Sequence, residues 1–176
     1  LADLHFEKGS YLSQYASPVP RYDSRATLKS IAALLACYAP HRVLCLGDSF
    51  HDIHAFERFL ADDVAQLKAL VLSVEEWIWL EGNHDPQVPE ALDGLRAESY
   101  PLRTRQGELI HCRHIPQDND GLQIVGHFHP KAWFASGKRR FRGKSLVTTD
   151  TLMLMPALGQ YTGGLSIEDE VLTTLA

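Results

Sequence analysis

No stretch of the 176-residue chain approaches the roughly 20 consecutive apolar residues that a membrane-spanning helix requires. No signal-peptide pattern is visible either. Thiols are scarce: Cys37, Cys45 and Cys112 are an odd number, with no Cys-x-x-Cys pair among them. That excludes a disulfide scaffold and a cysteine-built zinc site. Cys37 and Cys45 lie inside apolar runs and Cys112 beside one, so all three are expected to be buried free thiols of a reducing, cytoplasmic compartment. Positive charge is also short, with 17 Lys and Arg against 22 Asp and Glu and a net charge of −5. A protein that coats nucleic acid through a generally basic surface would be positive, so any nucleic-acid contact has to be local. Repeats and low-complexity segments are absent. What the chain does have is 45% apolar residues and nine histidines. The length and apolar content fit one compact domain, residues 1–176. Surplus acid beside many histidines suits a protein that gathers cations. The chain opens on Leu1-Ala2-Asp3 at what reads as a strand end, so several native residues are expected to precede it.

Periodicity places the elements. Asp23 or Ser24 is expected to cap a helix whose apolar stripe is Leu28, Ile31, Leu34, Leu35 and Tyr38, closed by Pro40. Arg42 to Leu46 reads as a short strand ending at Gly47. Residues 53–72 read as helical with a break near Asp62-Asp63, and Trp77 to Leu80 as a second strand ending near Gly82. Beyond that, Leu109-Ile110, Leu122 to Val125, Trp133-Phe134, Ser145 to Thr149 and Leu152 to Met155 are short β-type runs. Turn residues at Asp120-Gly121, Ser136-Gly137, Asp150 and Gly163-Gly164 separate them. Early alternation of helix and strand followed by strand meanders implies an α/β domain of two packed mixed β-sheets flanked by helices.

Polar residues cluster at the ends of these strands. They are Asp3 and His5; Asp48; Asn83 and His84; His114; and His127 and His129. Ligands of open α/β sheets bind beyond the carboxyl ends of strands, so the five clusters are expected to converge. Carboxylate, imidazole and amide oxygen without thiolate suit Mn²⁺, Fe²⁺ or Zn²⁺ better than Ca²⁺. Residues two apart on extended backbone face one side, so Asp3 with His5, and His127 with His129, can each serve one site. Gly47, Gly82 and Gly126 allow sharp turns and close backbone approach. Taken singly, each cluster is more often a surface accident or an ordinary turn; all five in order at strand ends are hard to reach by chance.

Asp3-x-His5, Gly47-Asp48, Gly82-Asn83-His84-Asp85, His114 and Gly126-His127-x-His129 together resemble the calcineurin-like metallophosphoesterase superfamily. The wider segments Asp3 to Gly9, Tyr22 to Arg25, Gly47 to Asp52, Gly126 to Lys131 and Tyr161 to Gly164 resemble the bacterial ligase-associated DNA damage response endonucleases. That resemblance implies a four-layer αββα sandwich, two divalent ions with Mn²⁺ preferred, DNA cleavage in repair, and the company of a DNA ligase, a helicase and an exonuclease-like protein. It places Asp3, His5 and His129 on one metal, Asn83, His114 and His127 on the other, and Asp48 between them. His114 is preferred over His111 because Arg113-His114-x-Pro116 matches the family's motif. Two such ions would neutralise a scissile phosphate and activate water. His84 would be the general acid and Asp85 the carboxylate that orients it.

Other residues carry two readings. His51 and Asp52 read as substrate contacts, as partners that fix the ligands, or as a polar helix start. Lys138 to Lys144 is the one dense basic run, and Arg139, Arg140 and Arg142 in it read either as DNA phosphate contacts or as a solvated hairpin tip. Lys8 is placed by sequence proximity to approach a substrate phosphate, and His54 reads as a surface or packing residue. The same site chemistry serves a small-molecule phosphodiesterase or phosphomonoesterase, and a non-catalytic scaffold of this fold is the reading from a different class.

Overall fold

The computed structural model describes residues 1–15, 18–118 and 121–175, so Asp120 of the expected turn lies outside the described residues. The helices are α1 (Lys8–Tyr15), α2 (Asp23–Tyr38), α3 (Ala55–Arg58), α4 (Ala61–Leu72) and α5 (Glu170–Leu175). The strands are β1 (Arg42–Cys45), β2 (Glu76–Leu80), β3 (Leu95–Ala97), β4 (Ser99–Arg103), β5 (Leu109–Arg113), β6 (Leu122–Val125), β7 (Lys131–Ser136), β8 (Arg139–Lys144), β9 (Val147–Thr148) and β10 (Leu152–Leu154). One sheet has the order β1-β2-β3 and is parallel throughout. The other has the order β4-β5-β6-β10-β9, parallel in the middle and antiparallel at both margins. Strands β7 and β8 form a separate hairpin. The N-terminal segment extends the first sheet: the Leu1 ammonium donates to the Leu44 carbonyl at 2.7 Å, and Leu46 N–H donates to the Leu1 carbonyl at 2.9 Å.

The period-2 alternation of the strands sorts the core into layers. In β1 and β2, Val43, Cys45, Trp77 and Trp79 pack with Leu28 and Ile31 of α2 and Leu67 and Val71 of α4. Their neighbours Leu44, Leu46, Ile78 and Leu80 turn the other way, onto Cys112 of β5 and Ile124 of β6. The far side of the second sheet, with Val125, Leu152 and Leu154, packs on Leu172 of α5. Helices, sheet, sheet and a short helix are therefore stacked in that order. The flanking-helix α/β architecture expected from the sequence is what the chain adopts.

Several local expectations fail for identifiable reasons. Asp23 and Ser24 do not cap α2 from outside; Asp23 is already helical, and the preceding Tyr22 makes no side-chain cap. Both side chains reach the N-terminal segment instead, where Gly9 N–H donates to Asp23 at 2.7 Å and Glu7 N–H to Ser24 Oγ at 2.9 Å. The apolar stripe of α2 is buried at Leu28 and Ile31 and half-buried at Leu34 and Leu35, while Cys37 and Tyr38 in the last turn are exposed. Cys45 and Cys112 are buried as expected, and burial pushes their thiols up to about 12 and about 11. The break in the 53–72 region falls at Phe59-Leu60, both extended, and Asp62 and Asp63 open the first turn of α4. Acidic side chains there complement the helix dipole, so they mark a start and not an interruption. Strand β4 was not foreseen because it contains Pro101; at a sheet edge the missing N–H leaves no bond unmade. Among the described residues no helix is long and apolar enough to cross a membrane.

Ile78 is 1% exposed between the sheets. Ile78→Ala is expected to cost about 2–5 kcal/mol in urea unfolding. Leu72→Ala at the exposed end of α4 should stay within about 0.5 kcal/mol; equal losses would contradict the layer assignment.

Candidate metal centre

Chain geometry brings the five polar clusters to one rim. β1 runs into Gly47-Asp48, β2 into Gly82-Asn83-His84, β5 into His114 and β6 into Gly126-His127, and the N-terminal segment beside β1 supplies Asp3 and His5. Two glycines make this approach possible. Gly47 has φ +78°, and a Cβ there would lie 2.6 Å from the His114 ring. A Cβ on Gly82 would lie 2.2 Å from both the amide nitrogen and Oδ1 of Asp48.

The side chains fall into two groups, each able to hold a metal ion: Asp3, His5 and His129, and Asp48, His114 and His127. In the first, the Nε2 atoms of His5 and His129 face each other at 3.3 Å and His129 Nε2 is 3.2 Å from Asp3 Oδ1. In the second, His114 Nε2 lies 3.3 Å from Asp48 Oδ2, 3.2 Å from His127 Nδ1 and 2.9 Å from Asn83 Oδ1. Asp48 Oδ2 also lies 3.8 Å from His5 Nε2, so one carboxylate oxygen faces both groups. The converging ring nitrogens and carboxylates are a donor set that a divalent ion satisfies. His114, and not His111, enters the cluster; His111 pairs with Pro101 and Gln123 inside the second sheet.

The alternation argument for paired ligands is corrected in part. Asp3 and His5 share a group, but His127 and His129 divide between the two. The reason is backbone conformation. Asp3, His5, Asp48, His127 and His129 have φ between 43° and 69°, left-handed rather than extended. Strand alternation therefore governs neither pair, and each side chain goes where its own turn carries it.

Burial sets the electrostatics. His5 is lowered to about 2, first by desolvation, so its ring is neutral and free to ligate. Burial would raise Asp48, but its hydrogen bond and charge interaction with His114, the His84 N–H and His5 outweigh that and bring it down to about 2. His114 is raised, because Asp48 and Asp3 outweigh the opposing effect of burial. Supporting contacts fix the ligands: the Leu46 carbonyl sits 2.8 Å from His114 Nδ1, and His127 N–H donates to Asp3 at 3.1 Å. Gly159 N–H donates to the Asp3 carbonyl at 3.0 Å, and Gly164 lies directly against the His129 backbone.

His84 is exposed at the mouth, its amide donating to Asp48 Oδ1 at 2.9 Å. Its ring stacks on His51 at 5.1 Å and stands edge-on to His5 at 5.3 Å. Asp85 does not orient it. The buried Asp85 carboxylate accepts the Phe50 amide at 2.9 Å and so holds the loop after Asp48; burial raises it to about 7. His51 touches the cluster through its Nδ1, 3.4 Å from His5 Nδ1. Asp52 is taken up by an ion pair with Arg58. His54 is exposed and pairs with Glu57. Strand register puts Arg140 and Arg142 on one face of the hairpin and Arg139 on the other. Sequence reasoning missed Arg21, which donates to the buried Glu7 at 2.8 Å and steadies the segment carrying His5.

A family model described as calcineurin-like phosphoesterase matches residues 1–155. Among curated proteins there is no match. A crystal structure of Pseudomonas putida nuclease MPE is similar to this chain with a TM-score of 0.72 and 24% identity, covering 97% of this chain and 78% of that one. Vacuolar protein sorting 29 from Cryptosporidium parvum gives a TM-score of 0.42 and 17% identity, over 89% of this chain and 72% of that one.

Gly82→Ala drives a methyl group into Asp48. It is expected to cost about 1–3 kcal/mol of stability and to shift the imidazole NMR signals of His84 and His114. Unchanged spectra would mean that Asp48 is not held in this packing.

Proposed function

The chain belongs to the calcineurin-like phosphoesterase family and is a metal-dependent phosphoesterase, and we propose that it cuts phosphodiester bonds in DNA using two divalent ions. Asp3, His5 and His129 would hold one ion, Asn83, His114 and His127 the other, with Asp48 between them. The observation that carries this reading is the single Asp48 oxygen facing His5 in one group and His114 in the other. Mn²⁺ suits the mixed carboxylate, imidazole and amide set, with Fe²⁺ and Zn²⁺ as the other candidates. Bound there, two ions would neutralise the scissile phosphate and activate water for in-line attack.

The chain's own residues do the rest. His84 stands exposed beside both groups and is the general acid that gives its proton to the leaving oxygen. With Asp85 engaged elsewhere, stacking on His51 and the His84 N–H to Asp48 hold it in place. Lys8 lies in the field of Asp48 and Asp3 and adds positive charge where a phosphate would enter. Clefts of about 280 Å³ beside Asn83 and His114, and of about 400 Å³ beside His127 and His129, leave room for substrate on both sides of the cluster. The fold shared with a nuclease and the local basic segment containing Arg140 and Arg142 support DNA over a small ester. On this reading the 176 residues act as one cytoplasmic domain in DNA repair, alongside a ligase, a helicase and an exonuclease-like protein.

Metal-stripped protein restored with Mn²⁺ is expected to cut circular single-stranded DNA and to turn over a bis-aryl phosphate diester. Turnover of small esters alone would move the substrate away from DNA, and silence on both with two ions bound would overturn the enzymatic reading. His84→Ala should lower turnover about 10²–10⁴-fold while metal content by elemental analysis stays near that of the unaltered protein. Asp48→Asn should lose both. Undiminished turnover in His84→Ala would remove the general-acid assignment.

A further inference from the structure

The β7–β8 hairpin is the part of the molecule that the core does not explain. Residues 131–144 hold six of the chain's 17 Lys and Arg and no Asp or Glu, in a protein of net charge −5. They also carry three large aromatics in the open: Trp133, Phe134 and Phe141 are 51%, 57% and 42% exposed. Cross-strand register separates two faces. Phe134 pairs with Phe141 and stacks on it, with ring centres 5.2 Å apart and planes 18° apart. That pair joins the two strands, which a hairpin standing off its sheets needs. The opposite face aligns Lys131 with Lys144, Trp133 with Arg142, and Ala135 with Arg140. There the guanidinium carbons of Arg140 and Arg142 lie 5.4 and 5.9 Å from the Trp133 ring centre. The base of this face, Lys131, Lys144 and Arg142, holds the hairpin down, and Trp133 stands beyond it in the open. The base is anchored by backbone bonds from Lys131 to Leu165 and from Ile167 to Lys131, and by the Lys131, Lys144 and Arg142 side chains on the carbonyls of Thr162, Gly159 and Gly164.

We propose that this face is a subsite for single-stranded nucleic acid, in which Trp133 stacks an unpaired base and Arg140 and Arg142 hold the adjoining phosphates. An indole between two guanidinium groups offers what a flexible polyanion with flat bases requires. Duplex bases are already stacked and have no face to give, so the platform selects a single strand. Position links it to the metal centre. Trp133 is four residues from His129, so their Cα atoms are no more than about 14 Å apart. Cations continue between them: the charges acting on Lys8, whose pKa is lowered by burial, are those of Asp48, Lys131 and Asp3, and Lys131 in turn feels Arg142. A strand seated on Trp133 would thus lie within a few residues' reach of the ligand cluster. The inference rests on the nucleic-acid reading above, but a separate experiment tests it.

Trp77 and Trp79 are buried, so fluorescence quenching by an added strand reports on Trp133. Full-length, Mn²⁺-loaded protein titrated with a phosphorothioate-linked oligothymidylate is expected to show saturable quenching. Trp133→Ala should weaken binding by roughly tenfold, and Trp133→Phe should keep most of the affinity while losing the quenching. Arg140→Ala with Arg142→Ala should lower the slope of log affinity against log salt by about 1.4. Arg139→Ala, on the other face, should matter less. Trp133→Ala and Trp133→Phe should turn over the bis-aryl diester as the unaltered protein does. Binding without quenching, or equal affinity in Trp133→Ala, overturns the subsite even if DNA is cut. Quenching and its loss in Trp133→Phe, without cleavage of any DNA, keeps the subsite and overturns the nuclease reading.

Discussion

A carboxylate that is 2% exposed has to be compensated, and Asp48 is compensated from several directions at once. Its Oδ1 accepts the His84 amide, and its Oδ2 faces His114 and His5. These partners come from β2, β5 and the N-terminal segment, so the charge can be satisfied only when both sheets are in register at this rim. Removal of any one partner leaves a buried charge short of an interaction. The cluster is thus a condition on the fold as well as a product of it.

Holding that arrangement requires backbone that L-residues avoid. Five of the seven candidate ligands have φ in the left-handed region, as does the neighbouring Glu7. Such positions cost on the order of 1–2 kcal/mol each, with Asp and His tolerating them better than bulkier residues. The strain is offset elsewhere, by the layers around Trp79, Ile78 and Leu154 and by the close contacts at Gly47, Gly82 and Gly164. Strain concentrated where ligands converge, on a scaffold of well-packed strands, is how preorganised sites are maintained.

Charge is distributed in the same divided way. The molecule as a whole repels polyanions, while the hairpin and Lys8 form a local cationic track toward an acidic, histidine-rich centre. Such a distribution favours contact through one face only, and it is compatible with the nucleic-acid substrate proposed above despite the negative net charge.

Much was legible in the sequence. Short apolar runs marked β1, β2, β6 and β10, and polar residues placed just after them marked the rim, because strand ends and ligand types are both local properties. Local pattern also identified the basic run 138–144. What it did not reveal depends on contacts distant in sequence. Asp23 and Ser24 look like helix caps, yet they bond Gly9 and Glu7 because α2 packs on the N-terminal segment. Asp85 looks like a partner for its neighbour His84, yet the Phe50 amide 35 residues away takes its carboxylate. Asp52 looks available, yet Arg58 occupies it. By spacing alone His127 and His129 look like a pair, yet they fall in different groups. The sequence by itself determined the elements, their order and the chemical types at the rim. Only the tertiary structure decided which side chain meets which, because pairing of charges and donors is settled by packing across the chain and not by spacing along it.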